Sequence, residues 1–112
     1  MNDILQQLDN IIAQRGSASP DSSYVAKLNA EGLNKILEKV GEEAVETILA
    51  ARDCADGKGR EQLVRETADL WFHCLVMLSH LDCDSDAVLE ELSERFGVSG
   101  LEEKAARQGG AD

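Results

Sequence analysis

The sequence predicts an all-α fold of four to five helices, a small bundle completed by dimerisation. Three observations carry this. Apolar residues recur at helical spacing through most of the chain, and no stretch alternates apolar and polar residues as a strand would. Breaker-rich segments cut the chain into helix-sized pieces. The segment 71–81 is apolar almost all round, more than a small single subunit can cover.

Ile4, Leu5, Leu8, Ile11 and Ile12 give a first helix over about residues 2–15. Residues 16–23, rich in Gly, Ser and Pro, form a loop, and Asp21 to Ser23 offer N-caps to the next helix. Tyr24, Val25 and Leu28 mark that short second helix, which Gly32 ends or kinks. From Leu33 onward Ile36, Leu37, Val40, Ala44, Ile48 and Ala51 share one stripe at 100° per residue. Glu42, Glu43 and Glu46 are expected on the opposite and flanking side, and Val45 and Leu49 fall outside the stripe, pointing to a second apolar partner. Gly41 inside this helix costs about 1 kcal/mol relative to alanine, which close approach of another backbone would explain.

Residues 55–59 form a flexible connector. Gly57-Lys58-Gly59-Arg60 lacks the flanking strand and spacing of a phosphate loop. The next helix spans about residues 61–81, and its apolar girth calls for a second subunit against Trp71 to Leu81. Asp84 or Ser85 caps a last amphipathic helix carrying Val88, Leu89, Leu92 and Phe96, and Gly97 stops it. Residues 99–107 are expected to form a helical turn or two. A single domain is expected over 1–107, with a disordered tail at 108–112.

Composition narrows the function. The 112 residues suit one domain. The opening residues have no signal-peptide pattern, no apolar run reaches membrane-helix length, and Cys54, Cys74 and Cys83 lack paired spacing, so a reducing, cytoplasmic setting is expected. A net charge of −11 opposes nucleic acid, and it would equally repel a polyphosphate unless cations bridge the two.

The acidic residues supply that bridge. Glu42 and Glu46 are four apart, Glu43 and Glu46 three apart, and Glu66 and Asp69 three apart, so each helix offers carboxylates from adjacent turns. Antiparallel packing across the short connector lets the two sets face each other. Hard oxygen donors without His or Cys select magnesium, manganese or calcium, and magnesium takes its other ligands from water and phosphate. A Glu-Glu-x-x-Glu string is also an ordinary solvated helix face, and first-turn acids favour the helix dipole. Asp69 lies too far into its helix for the dipole to account for it.

Glu42-Glu43-x-x-Glu46 followed by Glu66-x-x-Asp69 resembles the signature of the all-α nucleoside triphosphate pyrophosphohydrolases, the MazG-like superfamily. Within it, four ordered blocks resemble the phosphoribosyl-ATP pyrophosphohydrolase family of histidine biosynthesis. They begin at Asp21-Ser22-Ser23-Tyr24-Val25-Ala26-Lys27-Leu28 and Lys39-Val40-Gly41-Glu42-Glu43-Ala44-Val45-Glu46, and continue with Glu66-Thr67-Ala68-Asp69-Leu70-Trp71-Phe72-His73 and Ser99-Gly100-Leu101-Glu102-Glu103-Lys104. Asn29 departs from the pattern, standing where the family usually carries an aromatic residue. The family often has a cyclohydrolase domain fused in front; this chain opens almost directly on the helical domain, so the next step is expected to belong to another protein.

The resemblance implies a MazG-like bundle, a homodimer, and hydrolysis of phosphoribosyl-ATP to phosphoribosyl-AMP and pyrophosphate with Mg2+. Glu42, Glu43, Glu46, Glu66 and Asp69 would hold the metal, with Glu43, Glu46 and Glu66 as the catalytic candidates. Lys27, Lys39, Lys104 and Arg107 would contact substrate phosphates, a flexible ammonium serving as a point charge. Lys39 can instead pair with Glu43, Lys27 can be merely solvated, and His73 can orient the site or satisfy the core. Two other functions stay open: a (d)NTP pyrophosphohydrolase of the same superfamily, and a non-catalytic acidic helical dimer.

Overall fold

A computed structural model describes residues 3–97, and these are all-helical. Five helices follow one another: α1 (Ile4–Gly16), α2 (Tyr24–Glu31), α3 (Leu33–Ala55), α4 (Arg60–His80) and α5 (Ser85–Phe96). The expected tail turns, with Lys104 and Arg107, and the tail at 108–112 lie outside the described residues.

The ends of the helices obey their local chemistry. Ser23 caps α2 by accepting from the Ala26 amide, and Asp84 caps α5 by accepting from the Ala87 amide. Gly32, at φ 102°, closes α2 and opens α3, a backbone conformation that glycine alone adopts without strain. Gly97, at φ 63°, ends α5 as a left-handed cap.

The α3–α4 antiparallel pair is the most extensively packed in the fold. Helix α2 lies on α3, α1 lies on α2 and α4, and α5 docks on α1. The core runs through Ile12 of α1, Val25 and Leu28 of α2, Ile36 of α3, and Leu75 and Val76 of α4. Two polar ties reinforce it. The Asp9 carboxylate accepts from the backbone amide and hydroxyl of buried Ser85, which fastens the start of α5 to α1. Asn29 Oδ1 accepts from His80 Nδ1 at 2.9 Å, joining α2 to α4. A methyl at Gly16 would stand 2.5 Å from Asn29 Nδ2, so the polar residue at 29 is matched by a glycine at the end of α1.

Helix α3 differs from its expected orientation. Its packed side carries Ile36, Glu43, Thr47 and Ala50, about a fifth of a turn from the expected stripe. Glu43 is therefore buried, while Leu37 and Ile48 are exposed together with Val45 and Leu49. The stripe is thus only partly covered, with Ile36 in the core and Leu37 and Ile48 in the open, while Glu43 and Thr47 stand on the side that meets α4. Gly41 meets no backbone from the described residues of its own subunit. No atom of the described residues comes within 4 Å of a methyl placed there, so none of them demands a glycine.

Candidate active site

The α3–α4 pair brings three carboxylates together. Glu43, Glu46 and Glu66 each offer an oxygen within 4.8 Å of the others. Glu43 stands on the packed side of α3, Glu46 one turn later at its exposed edge, and Glu66 on the second turn of α4, partly buried. Thr47 fixes their relation: its hydroxyl lies 2.8 Å from the Glu43 carbonyl and 3.1 Å from the Glu66 carbonyl, a bond shared across the two helices.

The site is short of positive charge. Lys39 Nζ lies 3.1 Å from Glu42 Oε1 and 3.9 Å from Glu43 Oε2, so one ammonium is shared between two carboxylates. Glu66 Oε2 accepts from Gln62 Nε2, whose own Oε1 accepts from Arg65 Nη1. Glu43 Oε1 and Glu66 Oε1 are both shut off from solvent and have no hydrogen-bond partner among the described residues. Leaving such an oxygen unpaired costs on the order of 1–3 kcal/mol or more for a charged group. The neighbouring charge of Glu43 pushes the Glu46 carboxyl above its ordinary range, with desolvation and Glu66 adding to the effect.

These oxygens are a hard donor set with unspent acceptor capacity, and a divalent oxygen-seeking cation fits them. Glu42 and Asp69 fall outside the group of three. Glu42 is exposed and paired with Lys39, and the Asp69 side chain is exposed at the flank of α4.

The Asp69 backbone instead begins a second arrangement. Its carbonyl accepts from His73 Nδ1 at 2.8 Å, and a carbonyl can only accept, so Nδ1 carries the proton. His73 Nε2 is then the acceptor for the Tyr24 hydroxyl at 2.8 Å. His73 is thus a buried, satisfied core histidine within this subunit. The Tyr24 ring stacks on Phe72 and meets His73 edge-on. Burial is the main cause that raises the phenol's pKa, with Lys39 opposing and Glu43 adding.

Tyr24 also walls a cleft of about 270 Å³ that contains Lys27, Lys35, Lys39, Glu31 and Glu42. Lys27 and Lys39 are the lysines expected near substrate; Lys35 and Tyr24 join them without having been anticipated. The four-residue spacing of Lys35 and Lys39 carries a signal for the former. Nothing local reveals Tyr24, because its partner lies 49 residues away.

A family model described as phosphoribosyl-ATP pyrophosphohydrolase matches residues 5–96, a span that contains both helices of the carboxylate site, the lysine cleft and the Tyr24–His73 pair. The chain belongs to the phosphoribosyl-ATP pyrophosphohydrolase family, hydrolases of histidine biosynthesis that act on phosphorus-containing acid anhydrides.

Proposed function

We propose that this chain hydrolyses phosphoribosyl-ATP to phosphoribosyl-AMP and pyrophosphate, the second step of L-histidine biosynthesis, with Mg2+ as its cofactor. One observation carries the proposal: two buried, unpartnered carboxylate oxygens, on Glu43 and Glu66, lie in a group with Glu46. A fold tolerates that repulsion where a cation relieves it on binding.

Glu43, Glu46 and Glu66 would hold the metal, directly or through water, with Glu42 and Asp69 contributing from the flanks. Bound there, a divalent cation offsets phosphate charge and lowers the pKa of a coordinated water. The protein's own residues supply position and proton transfer. The shared Thr47 bond keeps the α3 and α4 carboxylates at a set spacing before substrate arrives. Glu46, at the exposed edge of the group, is the carboxylate open to an attacking water and accepts its proton. Lys27 and Lys39 steady the polyphosphate from the adjoining cleft; Lys104 and Arg107, which lie outside the described residues, are the further candidates for phosphate contact.

The working unit is a homodimer. Leu37, Val45, Ile48 and Leu49 on α3 stand exposed, as do Val64 and Trp71 on α4. An apolar groove between α4, α5 and α1 is lined by Trp71, Leu78, Val88 and Leu92. Surfaces of this kind are covered by a partner in stable proteins. Gly41 lies among the exposed apolar residues of α3, one turn from both Leu37 and Val45, where a second backbone could approach.

The test is pyrophosphate release from phosphoribosyl-ATP in the presence of Mg2+, run beside a panel of dNTPs and NTPs. Preference for phosphoribosyl-ATP supports the proposal; preference for the panel overturns the substrate.

A further inference from the structure

The substrate of the proposed reaction differs from ATP by one phosphoribosyl group. An enzyme that prefers it to simple nucleotides needs a second contact region, apart from the carboxylates and lysines that meet the triphosphate. A cleft of about 630 Å³ between α1 and the start of α2 has the properties required. Its volume falls within the range of small-molecule sites, roughly 300–1,000 Å³.

The lining combines one cation with serine hydroxyls and aromatic rings. Arg15, Ser22, Ser23, Tyr24 and Phe72 contribute to it over an apolar floor from α1. In a chain of net charge −11, none of the described residues lining this cleft carries a carboxylate, whereas the lysine cleft includes Glu31 and Glu42. Arg15 has no side-chain hydrogen bond or ion pair among the described residues. A guanidinium without an acidic partner is suited to bidentate recognition of a phosphate. Ser23 Oγ accepts from the Ala26 amide, which leaves its own O–H as a donor. Tyr24 lines both clefts, and its bond to His73 fixes the ring as the divider between them.

We propose that this cleft binds the phosphoribosyl arm, a sugar monophosphate, with Arg15 on the phosphate and Tyr24 as the wall between it and the polyphosphate side. The proposal rests on the phosphoribosyl-ATP reading above and adds a specificity determinant to it. Arg15 also sits in the last turn of α1, where any cation favours the helix dipole. Arg15→Lys preserves that role, so the dipole alone predicts a variant identical to the native chain.

The experiment compares kcat/KM for phosphoribosyl-ATP with that for ATP in the native chain, Arg15→Gln, Arg15→Lys and, as a control, Arg52→Gln. Loss of a charge-assisted phosphate contact should lower the ratio roughly 10–100-fold in Arg15→Gln, mainly through KM. Arg15→Lys should recover only part of it, and the control should leave it unchanged. An unchanged ratio in Arg15→Gln, or full recovery in Arg15→Lys, overturns the proposal while the reaction itself stands. Ribose 5-phosphate is the separate probe. It should shift the Ser23 and Tyr24 amide resonances of the native chain and not those of Arg15→Gln; absence of a native shift overturns the site. If the native chain leaves phosphoribosyl-ATP intact, the reaction proposal fails, and the ribose 5-phosphate titration still decides whether the cleft binds a sugar phosphate.

Discussion

On its inner side α3 buries Glu43 to 7% exposure, while on its outer side Val45, Ile48 and Leu49 are 55%, 63% and 59% exposed. An ordinary amphipathic helix does the reverse on both counts. The two departures have different causes. A buried carboxylate with an unpartnered oxygen costs stability, and its return is chemistry at the α3–α4 contact. An exposed apolar row is neutral in the subunit alone and favourable once covered. On the proposal above, the inner side answers to a ligand and the outer side to a second chain.

Neutralising the inner side should change the protein most. Glu43→Gln and Glu66→Gln should each lower turnover by roughly 10²–10⁴-fold. Each should also abolish the rise in melting temperature that Mg2+ gives the native chain. The metal-free variants should meanwhile be more stable by about 1–3 kcal/mol, because repulsion within the carboxylate group is reduced. Denaturant melts with and without EDTA check both signs. Equal Mg2+ stabilisation in native and variant chains would remove the metal from the inner side.

Charging the outer side should act on assembly. Ile48→Lys together with Val45→Lys should turn the dimer into a monomer at micromolar concentration, read by light scattering, with the helical content kept. A dimer that survives the pair would shift the interface to the groove around Trp71. Gly41→Ala is a finer probe of the same side. With no neighbour among the described residues, alanine should stabilise the isolated fold by up to about 1 kcal/mol. If a second backbone approaches there, the dimer should weaken at the same time.

The smallest expected effect is in pH. Folding raises the Glu46 pKa, so the fold favours its protonated form. That contribution is fully present below the ordinary value of 4.5 and fades as pH rises through the higher folded value. Metal-free melts from pH 4 upward should show this loss, and Glu46→Gln should remove its share of the slope.

The helices and their boundaries are readable from period and caps, as at Ser23, Asp84 and Gly97, because these signals are local. The acidic residues are readable as a group for the same reason. Which of them converge is not. Helical spacing places Glu42, Glu43 and Glu46 on neighbouring turns, but the rotation of α3 against α4 decides that Glu43 is buried and Glu42 is left with Lys39. That rotation depends on side chains from a second helix and, through the exposed stripe, on surface the subunit does not itself cover. Tyr24–His73 and Asn29–His80 are long-range polar pairs, which no window of sequence reveals. Asn29, a departure from the family pattern, proves to be structurally occupied.

Thr47 carries a consequence beyond tying two helices. Its hydroxyl is bonded to the backbone of both Glu43 and Glu66, so the two helices are held at one spacing at the level from which those carboxylates project. Magnesium asks for oxygens at about 2.0–2.1 Å in near-octahedral order, whereas calcium accepts about 2.3–2.6 Å with loose geometry. A helix spacing that holds the carboxylates close would favour the smaller ion. One uncharged hydroxyl would then bear on the choice between two cations of the same charge.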